Sequence, residues 1–183
     1  MKLTALASLA LLALAACQSK PKESVPLEAP NVHFKKAIVL AAVAEDKRKE
    51  VEDMVVAELL RRRPDTKVTP SYKQFPDLGK ATHERFKAYV DTQDVDMVVT
   101  IVPFAEIVAA RYADWNKEPH ELVAYYDDLS PAALVGRFGV QVVGWDVKTK
   151  RPVYAKTSEI LVGEAVGVQG VTDFAVATVS PGG

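Results

Sequence analysis

The chain has 183 residues, of which 49% are hydrophobic and 26% are charged, and its formal net charge is −1. Its 23 basic and 24 acidic side chains are nearly balanced, so the chain lacks the basic excess that is typical of nucleic-acid-binding proteins. Its one cysteine, Cys17, excludes an intrachain disulfide and a metal site of several thiolates.

The first 16 residues have the pattern of an export signal. Lys2 supplies one positive charge, and residues 3–16 are apolar or small apart from Thr4 and Ser8. This run is too short to cross a hydrocarbon layer of about 30 Å, which takes about 20 residues of helix, and it has the length of a signal-peptide core. We therefore predict a signal peptide over residues 1–16.

The letters LAAC at positions 14–17 resemble the bacterial lipobox, in which cleavage falls just before the cysteine. The resemblance implies a diacylglycerol thioether on Cys17 and an acylated amino terminus, for example a palmitate, and several acyl chains make a stable membrane anchor. Gln18 replaces the aspartate that retains lipoproteins in the inner membrane, which implies the periplasmic face of the outer membrane. The alternative is an ordinary signal peptide with a cysteine near the cut.

Removing residues 1–16 from 183 leaves 167 residues, and none of them besides Cys17 is a cysteine. Residues 17–31 are predicted to be the lipidated cysteine and a proline-rich tether, because mixed charges and three prolines leave too little apolar surface for folding. An extended tether of this length reaches roughly 40 Å. Residues 32–183 are then predicted to form a single periplasmic α/β domain.

Two segments follow in which apolar residues are continuous rather than alternating. Residues 35–44 and, later, residues 95–104 are such runs, which are typical of strands covered on both faces. An amphipathic helix is predicted over residues 45–63, with acids at its start, three arginines at its end and Pro64 after it. Residues 66–72 alternate in hydrophobicity and predict a second strand, in which Pro70 marks an edge or an irregularity.

The second half begins with another helix and ends in a hairpin. Residues 79–93 carry Phe86, Tyr89 and Val90 at helical spacing, whereas residues 138–147 and 152–162 alternate around a short polar turn and predict an antiparallel hairpin. We predict an α/β (α+β) fold: a mixed sheet of about five strands, with a βαβαβ unit followed by the hairpin and helices packed on the sheet.

The stretch between these parts, residues 105–137, is open to several interpretations. Its first half fits a helix or a bent continuation of the preceding strand, and its second half fits a short helix or a wide loop. An excursion of this length in a compact domain is often functional, and we predict that it faces a partner. The glycine-broken tail, residues 163–183, and the sheet edge are predicted as further contact surfaces.

The hairpin carries the most specific resemblance in the folded part. Its letters "V.GWDVKTKRPVY", together with the strand KAIVLAAV, the helix ending AELLRRR and the strand VDMVVT, resemble the TolB amino-terminal-domain-like lipoproteins. This group includes curli-export pore lipoproteins, penicillin-binding-protein activator lipoproteins and other periplasmic relatives. Their turn reads Asp-x-x-Thr-Gly, which Asp146 and Thr149 match, Lys150 replaces the glycine, and Tyr154 fills the aromatic position. The resemblance covers about residues 36–162 and implies the fold more than a role.

The sequence contains no recognisable catalytic or metal-binding motif. The three histidines, His33, His83 and His120, lack metal-ligand spacing. The acids between residues 91 and 96 lack the glycine and distal glutamate of an EF-hand, so a polar turn is the preferred interpretation. We predict no catalytic residue, no metal and no cofactor, and therefore no enzyme.

Our first hypothesis is a lipid-anchored, non-catalytic protein that binds another envelope protein or assembles with copies of itself, as an accessory factor of an envelope complex or transport system. The predicted partners are the membrane, through the lipid, and an envelope protein or a second copy, and no nucleic acid. Aromatic residues supply most interface hot spots, so the candidate contacts are Trp115, Tyr125, Tyr126 and Trp145, although Trp145 fits the core better. The alternative is a periplasmic protein that binds a lipid or cell-wall fragment in a pocket between the sheet and residues 105–137.

Overall fold

The computed structural model describes residues 27–28, 33–104, 118–124, 136–162 and 167–180, which form one mixed sheet with helices on both faces. The sheet has six strands in the order β1-β6-β5-β4-β2-β3, of which the first is very short. The strands are β1 (Leu27–Glu28), β2 (Lys36–Ala41), β3 (Lys67–Pro70), β4 (Met97–Phe104), β5 (Gly136–Asp146) and β6 (Arg151–Val162). The α/β fold predicted from the sequence is confirmed.

Four α-helices and one 3-10 turn are described. The helices are α1 (Glu45–Arg62), α2 (His83–Thr92), α3 (Pro119–Ala124) and α4 (Gly167–Val179), and the 3-10 turn (Ser71–Lys73) directly follows β3. Acids in the first turn of α1 and arginines in its last turn complement the helix dipole. None of the helices in the described ranges is long and apolar enough to cross a membrane.

The first half of the chain forms the predicted βαβαβ unit. Strand β2 lies between β3 and β4 and is parallel to both, with Lys36 opposite Lys67 and Ala37 opposite Met97. Because β3 has only one neighbour, Pro70 lies on an edge strand, where its missing N–H leaves the sheet intact. The continuous apolar run in β2 is explained by helices on both of its faces.

The predicted hairpin is also confirmed, and side-chain hydrogen bonds stabilise its turn. Strands β5 and β6 pair antiparallel from Gly136–Val162 to Asp146–Arg151. At the turn, the Asp146 carboxylate accepts hydrogen bonds from the Thr149 amide (2.7 Å) and hydroxyl (2.9 Å). Lys150, at the glycine position of the resembled motif, has a φ of 53°, the left-handed conformation that glycine adopts at least cost.

The face of the sheet that carries α1 and α4 is the closed face. Ala37, Val39 and Ala41 of β2 point to it, and the two helices pack on it and on each other. Its helical contribution is a set of valine, leucine and alanine side chains at helical spacing: Val51, Val55, Leu59, Val171, Ala175, Val176 and Val179. These residues are almost fully buried, so this face is a continuous apolar layer.

The opposite face carries α2 and α3 and is the pocket face. Ile38 and Leu40 of β2 alternate to this side and pack with an aromatic group from α2 and the preceding loop. The Phe75 ring meets Phe86 and Tyr89 edge-on, with centroid distances of 5.2 and 5.4 Å, an arrangement that the ring quadrupoles favour.

The carboxyl-terminal tail, predicted as a further contact surface, forms a helix on the closed face. Residues 167–179 form helix α4, and most of its apolar side chains are buried against α1 and the hairpin. The two glycines, Gly167 and Gly170, lie in its first turn, where they weaken the helix less than in its middle. Tertiary packing overrides weak local propensity here.

The predicted tether contains one described structural element. Leu27 and Glu28 pair antiparallel with Ala155 and Tyr154 of β6. This short strand lies inside the segment 17–31 that the sequence assigns to the tether, and it gives the tether a fixed contact with the sheet. The other residues of that segment lie outside the described ranges.

Candidate binding pocket

A pocket opens on the pocket face between α2, α3 and the hairpin turn. Its empty volume is about 320 Å³, a figure that includes open solvent at its mouth. All of its lining residues are described, and they come from five elements: Phe86, Lys87, Val90 and Asp91 of α2, Val98 of β4, Glu118 before α3, Pro119 and His120 of α3, Trp145 of β5, and Val147 and Lys150 of the turn.

The floor of the pocket is apolar because of how the strands alternate. Val98 and Trp145 are cross-strand partners in β4 and β5, and both side chains point to the pocket face. Trp145 is only 4% exposed, and it lines the pocket. Phe86 adds a buried ring from α2, so the floor is apolar and its side chains are packed in one core cluster.

The mouth of the pocket carries five ionisable side chains. Lys87 and Asp91 lie one turn apart on α2, and Lys150 projects from the hairpin turn. Glu118 Oε2 lies 3.4 Å from His120 Nδ1, a contact that becomes an ion pair when the imidazole is protonated. Lys87, Asp91 and Lys150 form no ion pair with another described side chain.

A second polar group, which is not among the residues predicted from the sequence, is buried under the carboxyl ends of β2 and β3. Arg48 Nε donates to Glu52 Oε1 (2.9 Å), although Arg48 is 3% exposed and Glu52 is 0% exposed. The arginine also donates to the Ser71 hydroxyl (2.8 Å) and the Pro76 carbonyl (2.9 Å). Both residues lie on the same helical stripe as Val51 and Val55, a pattern that was visible in the sequence.

The Glu52 carboxylate joins three segments of the chain. It accepts hydrogen bonds from the amides of Ala41 (3.1 Å) and Tyr72 (2.9 Å) and from the Ser71 hydroxyl (2.9 Å). The Tyr72 hydroxyl in turn donates to Asp53 (2.9 Å), and burial, followed by this hydrogen bond, raises the pKa of Tyr72. Every buried side-chain polar atom in the described residues has a partner, so we interpret the group as structural.

The three arginines at the end of α1 have internal partners. Arg61 and Arg62 both donate to Glu58, at 2.6 and 3.0 Å, and hydrogen bonds from Arg61 and then from Arg62 lower the pKa of Glu58 to about 2. The Arg63 guanidinium lies 4.8 Å from the centroid of the Phe34 ring. These contacts favour a helix-end charge cluster over a phosphate-binding patch.

The described residues contain no group of three histidine, cysteine or acidic side chains that could hold a metal ion. Of the acids in residues 91–96, Asp96 accepts the amides of Lys35 and Lys36, both at 2.8 Å. Asp94 has a φ of 53°. These features are those of a polar turn that fixes the start of β2.

The structure describes one of the predicted site residues. Trp145 lies in the core of the pocket face, as its preferred interpretation expects, and it also lines the pocket. Its role as a partner contact stays a prediction. Cys17, Trp115, Tyr125 and Tyr126 lie outside the described residues, as do most of the residues 105–137.

Comparison with known proteins gives no family for this chain. No family model matches it, and a search of curated proteins finds no match. The TolB-like group therefore stays a prediction from the sequence.

Among solved structures, the chain is similar to the PelC dodecamer from Paraburkholderia phytofirmans in space group P6, with 14% identity and a TM-score of 0.46 over 86% of this chain and 94% of that chain. A single-substitution variant of that dodecamer in space group C2 has 13% identity and a TM-score of 0.47, over 86% and 95% of the two chains. At this identity and TM-score, neither the assembly nor the role of those proteins is transferred to this chain.

Proposed function

We propose that this protein is a lipid-anchored, non-catalytic component of the bacterial envelope that acts by binding another envelope protein or by assembling with copies of itself. The observation that carries this proposal is Cys17, which follows an apolar run and two alanines in a chain with no other cysteine. A lone cysteine at this place is best explained as an attachment point, and the periplasmic face of the outer membrane is the proposed location.

Two features of the described structure support a binding role. The ionisable groups with shifted pKa values are Glu58, Arg61 and Tyr72, and each shift follows from packing or a neighbouring side chain outside the pocket. The mouth of the pocket carries Lys87, Asp91 and Lys150, which form no ion pair with another described side chain, and convergent polar groups are a feature of binding sites. We assign no catalytic residue.

The lipid anchor is tested by labelling the full chain in a bacterial host with an alkyne fatty acid. We expect label and a matching mass increase on the amino-terminal peptide, and loss of both in Cys17→Ser. A matched control is Ser19→Cys in the Cys17→Ser background, which restores the thiol two positions later and is expected to stay unlabelled. Release of the unlabelled wild-type chain into the soluble periplasm would overturn the anchor.

The partner is tested in the native envelope by crosslinking followed by mass spectrometry. A photo-reactive amino acid at position 115 or 126 is expected to capture a defined envelope protein or a second copy, whereas one at the exposed Lys49 is the control. Trp115→Ala and Tyr126→Ala are expected to remove those products or to change the oligomeric mass. If both variants leave every partner and the mass unchanged, these residues are not the contact surface.

A second function, binding of a small periplasmic ligand, is favoured by the pocket itself. A ligand there would contact mainly the residues at the mouth, because the 320 Å³ of empty space includes open solvent and the floor side chains are already buried. Native mass spectrometry of the protein purified from the envelope would detect a retained ligand. A ligand that is retained equally after the pocket is filled by Val90→Phe would contradict this site.

A further inference from the structure

We propose that the pairing of β1 with β6 is a clamp that sets how far the domain stands from the membrane and turns the β6 edge of the sheet towards the lipid. This inference rests on the lipid anchor proposed at Cys17 and deepens it, because it states which surface of the domain the anchor holds near the membrane. It follows from the place of β1 in the sheet and from the length of chain on either side of it.

The two edges of the sheet differ in what covers them. The β3 edge has no neighbour among the described strands, and it carries Pro70, which has no N–H to offer. The β6 edge carries β1, in which Leu27 lies opposite Ala155 and Glu28 lies opposite Tyr154. An uncovered edge strand presents unpaired N–H and C=O groups that pair readily with an extended chain. The tether supplies such a chain at a high effective concentration because it belongs to the same molecule.

A second contact fixes the chain after β1. Phe34 is 3% exposed and belongs to the apolar layer of the closed face, and the Arg63 guanidinium lies 4.8 Å from the centroid of its ring. A buried aromatic ring under a cation is held by its packing as well as by the cation, whereas β1 is a ladder of two residues. If β1 leaves β6, Phe34 therefore still attaches the chain to the domain.

The reach of the tether depends on which of these two points holds it. Leu27 comes ten positions after Cys17, a distance of about 31 Å for a chain extended at about 3.1 Å per residue. Phe34 comes seventeen positions after Cys17, which corresponds to about 53 Å. The pairing of β1 therefore shortens the greatest distance between the lipid and the domain by about 22 Å.

The position of β1 also decides which edge of the sheet is held closest to the membrane. β1 and β3 are the two ends of the strand order, five strand spacings apart, which amounts to about 24 Å. A tether that joins the domain at β6 keeps this edge within about 31 Å of the lipid, whereas the β3 edge is free to stand farther away by the width of the sheet. The β6 edge is therefore the side that faces the membrane.

The pairing itself is tested with a disulfide. Leu27→Cys and Ala155→Cys place two thiols on opposite residues, whose Cα atoms are about 4.5–5.5 Å apart in an antiparallel ladder, a separation that a disulfide bridges. The pair is introduced into the exported full chain, once with Cys17 and once with Cys17→Ser. We expect a disulfide within one chain, seen as a faster monomer band on a non-reducing gel and as a linked peptide by mass spectrometry.

The matched control is Leu27→Cys with Thr157→Cys. Position 157 lies two residues further along β6, so its Cα is about 7–8 Å from that of position 27, and we expect at least about fivefold less disulfide because this separation is too long for an unstrained bridge. A disulfide between two chains would show that a second copy donates β1. Equal crosslinking of the two pairs would show that β1 has no fixed register, and either result would overturn the clamp.

The distance to the membrane is tested by energy transfer from the domain to the lipid surface. The acylated full chain is inserted into vesicles of phosphatidylethanolamine and phosphatidylglycerol that carry an acceptor on their headgroups. A donor is attached to Thr157→Cys on β6 or to Lys67→Cys on β3, which are both exposed positions, and the acylated Cys17 has no free thiol to compete. We expect greater transfer from position 157 than from position 67.

Removing both N–H groups of β1 with Leu27→Pro and Glu28→Pro prevents the pairing. We expect transfer from position 157 to fall at least about twofold, because the reach of the tether rises from about 31 to about 53 Å. Ser24→Pro is the matched control: it adds a proline to the tether outside β1 and is expected to leave the transfer unchanged. Circular dichroism of each variant shows that the fold is retained.

Equal transfer from positions 157 and 67 in the chain with an unaltered β1 would overturn the proposal, as would unchanged transfer in the double proline variant. These failures are distinguishable from a failure of the proposed anchor. A chain that is not acylated at Cys17 does not enter the vesicles, which overturns the anchor and with it the clamp's effect on distance, whereas the disulfide in the Cys17→Ser background still reports whether β1 pairs with β6. Conversely, a labelled and inserted chain without the disulfide leaves the anchor standing and overturns the clamp.

Discussion

The closed face covers the sheet with two packed helices, whereas the pocket face leaves an opening between α2, α3 and the hairpin turn. Both faces have charged side chains beside apolar residues, but the hydrogen bonding of these charges differs between the two faces. On the closed-face helix, the buried Arg48 and Glu52 are fully hydrogen-bonded. Around the pocket, Lys87, Asp91 and Lys150 remain available to solvent or to a ligand. The difference separates charges that hold the fold together from charges that can bind.

The largest loss of stability is expected when one partner is removed from the buried group of Arg48 and Glu52. Glu52→Ala leaves Arg48 charged and buried and deprives the Ala41 and Tyr72 amides of their acceptor. We expect a loss of about 3–5 kcal/mol in the free energy of unfolding, measured by urea denaturation. Glu50→Ala, which removes the half-exposed contact with Lys47, is the control and should cost less than about 1 kcal/mol. Similar losses in the two variants would show that the buried group is dispensable.

Replacing one valine by phenylalanine on each face compares the packing of the two faces directly. Val55 is 0% exposed on the closed face, so Val55→Phe forces its neighbours apart and should cost about 1–3 kcal/mol. Val90 lines the pocket, and Val90→Phe should cost less than about 1 kcal/mol because the ring has empty space to enter. Thermal unfolding of the two variants measures the difference. An equal cost would mean that the pocket closes in solution.

A smaller change probes a close approach between Gly144 and Tyr154 in the closed face. A Cβ on Gly144 would lie 2.9 Å from Tyr154 Cδ2 and 3.3 Å from Tyr154 Cβ, so Gly144→Ala must displace the hairpin or the ring. We expect a loss of about 1–2 kcal/mol in urea denaturation. Since the conflict is with one side chain, combining it with Tyr154→Val should cost less than the sum of the single changes. Strict additivity would place the strain elsewhere.

The turn at the mouth of the pocket offers a gain in stability. Lys150→Gly relieves a left-handed backbone conformation, which costs about 1–2 kcal/mol in a residue with a side chain, against a greater loss of chain entropy on folding for glycine. We expect a net gain of about 0.5 kcal/mol in thermal unfolding. Lys148→Gly, where φ is not positive, should lose stability. If both variants lose stability, the turn is not strained at Lys150.

The smallest expected effect is a pH dependence at the end of α1. The pKa of Glu58 is lowered to about 2 by hydrogen bonds from Arg61 and Arg62, so its contribution to stability is complete above the usual glutamate pKa near 4.5 and is lost as the pH falls towards 2. We expect Glu58→Gln to reduce the decline in melting temperature between pH 5 and pH 2. Because the pair is at the surface, added salt should reduce the same difference. An unchanged pH profile would show that the ion pairs do not form in solution.

Much of the fold was predictable because its signals are local. Continuous apolar runs indicated β2 and β4, and alternation indicated the hairpin. Pro70 indicated the edge. The candidate site was less predictable: Trp145 was recognised as an aromatic of interest, but the lysines and acids around it come from separate elements. Their meeting depends on strand order, which no sequence window contains. Arg48 and Glu52 gave a readable signal, since two charges stood on an apolar helical stripe.

The sequence by itself determined the hydrophobic period of each element and the sharp turn at Asp146, and it predicts an attachment point at Cys17. Only the tertiary structure decided that residues 167–179 are a packed helix, that Leu27 and Glu28 join the sheet, and that five elements enclose a pocket. The reason is physical. Hydrophobic period and turn chemistry act between residues a few positions apart, whereas burial depends on which surfaces the folded chain brings together.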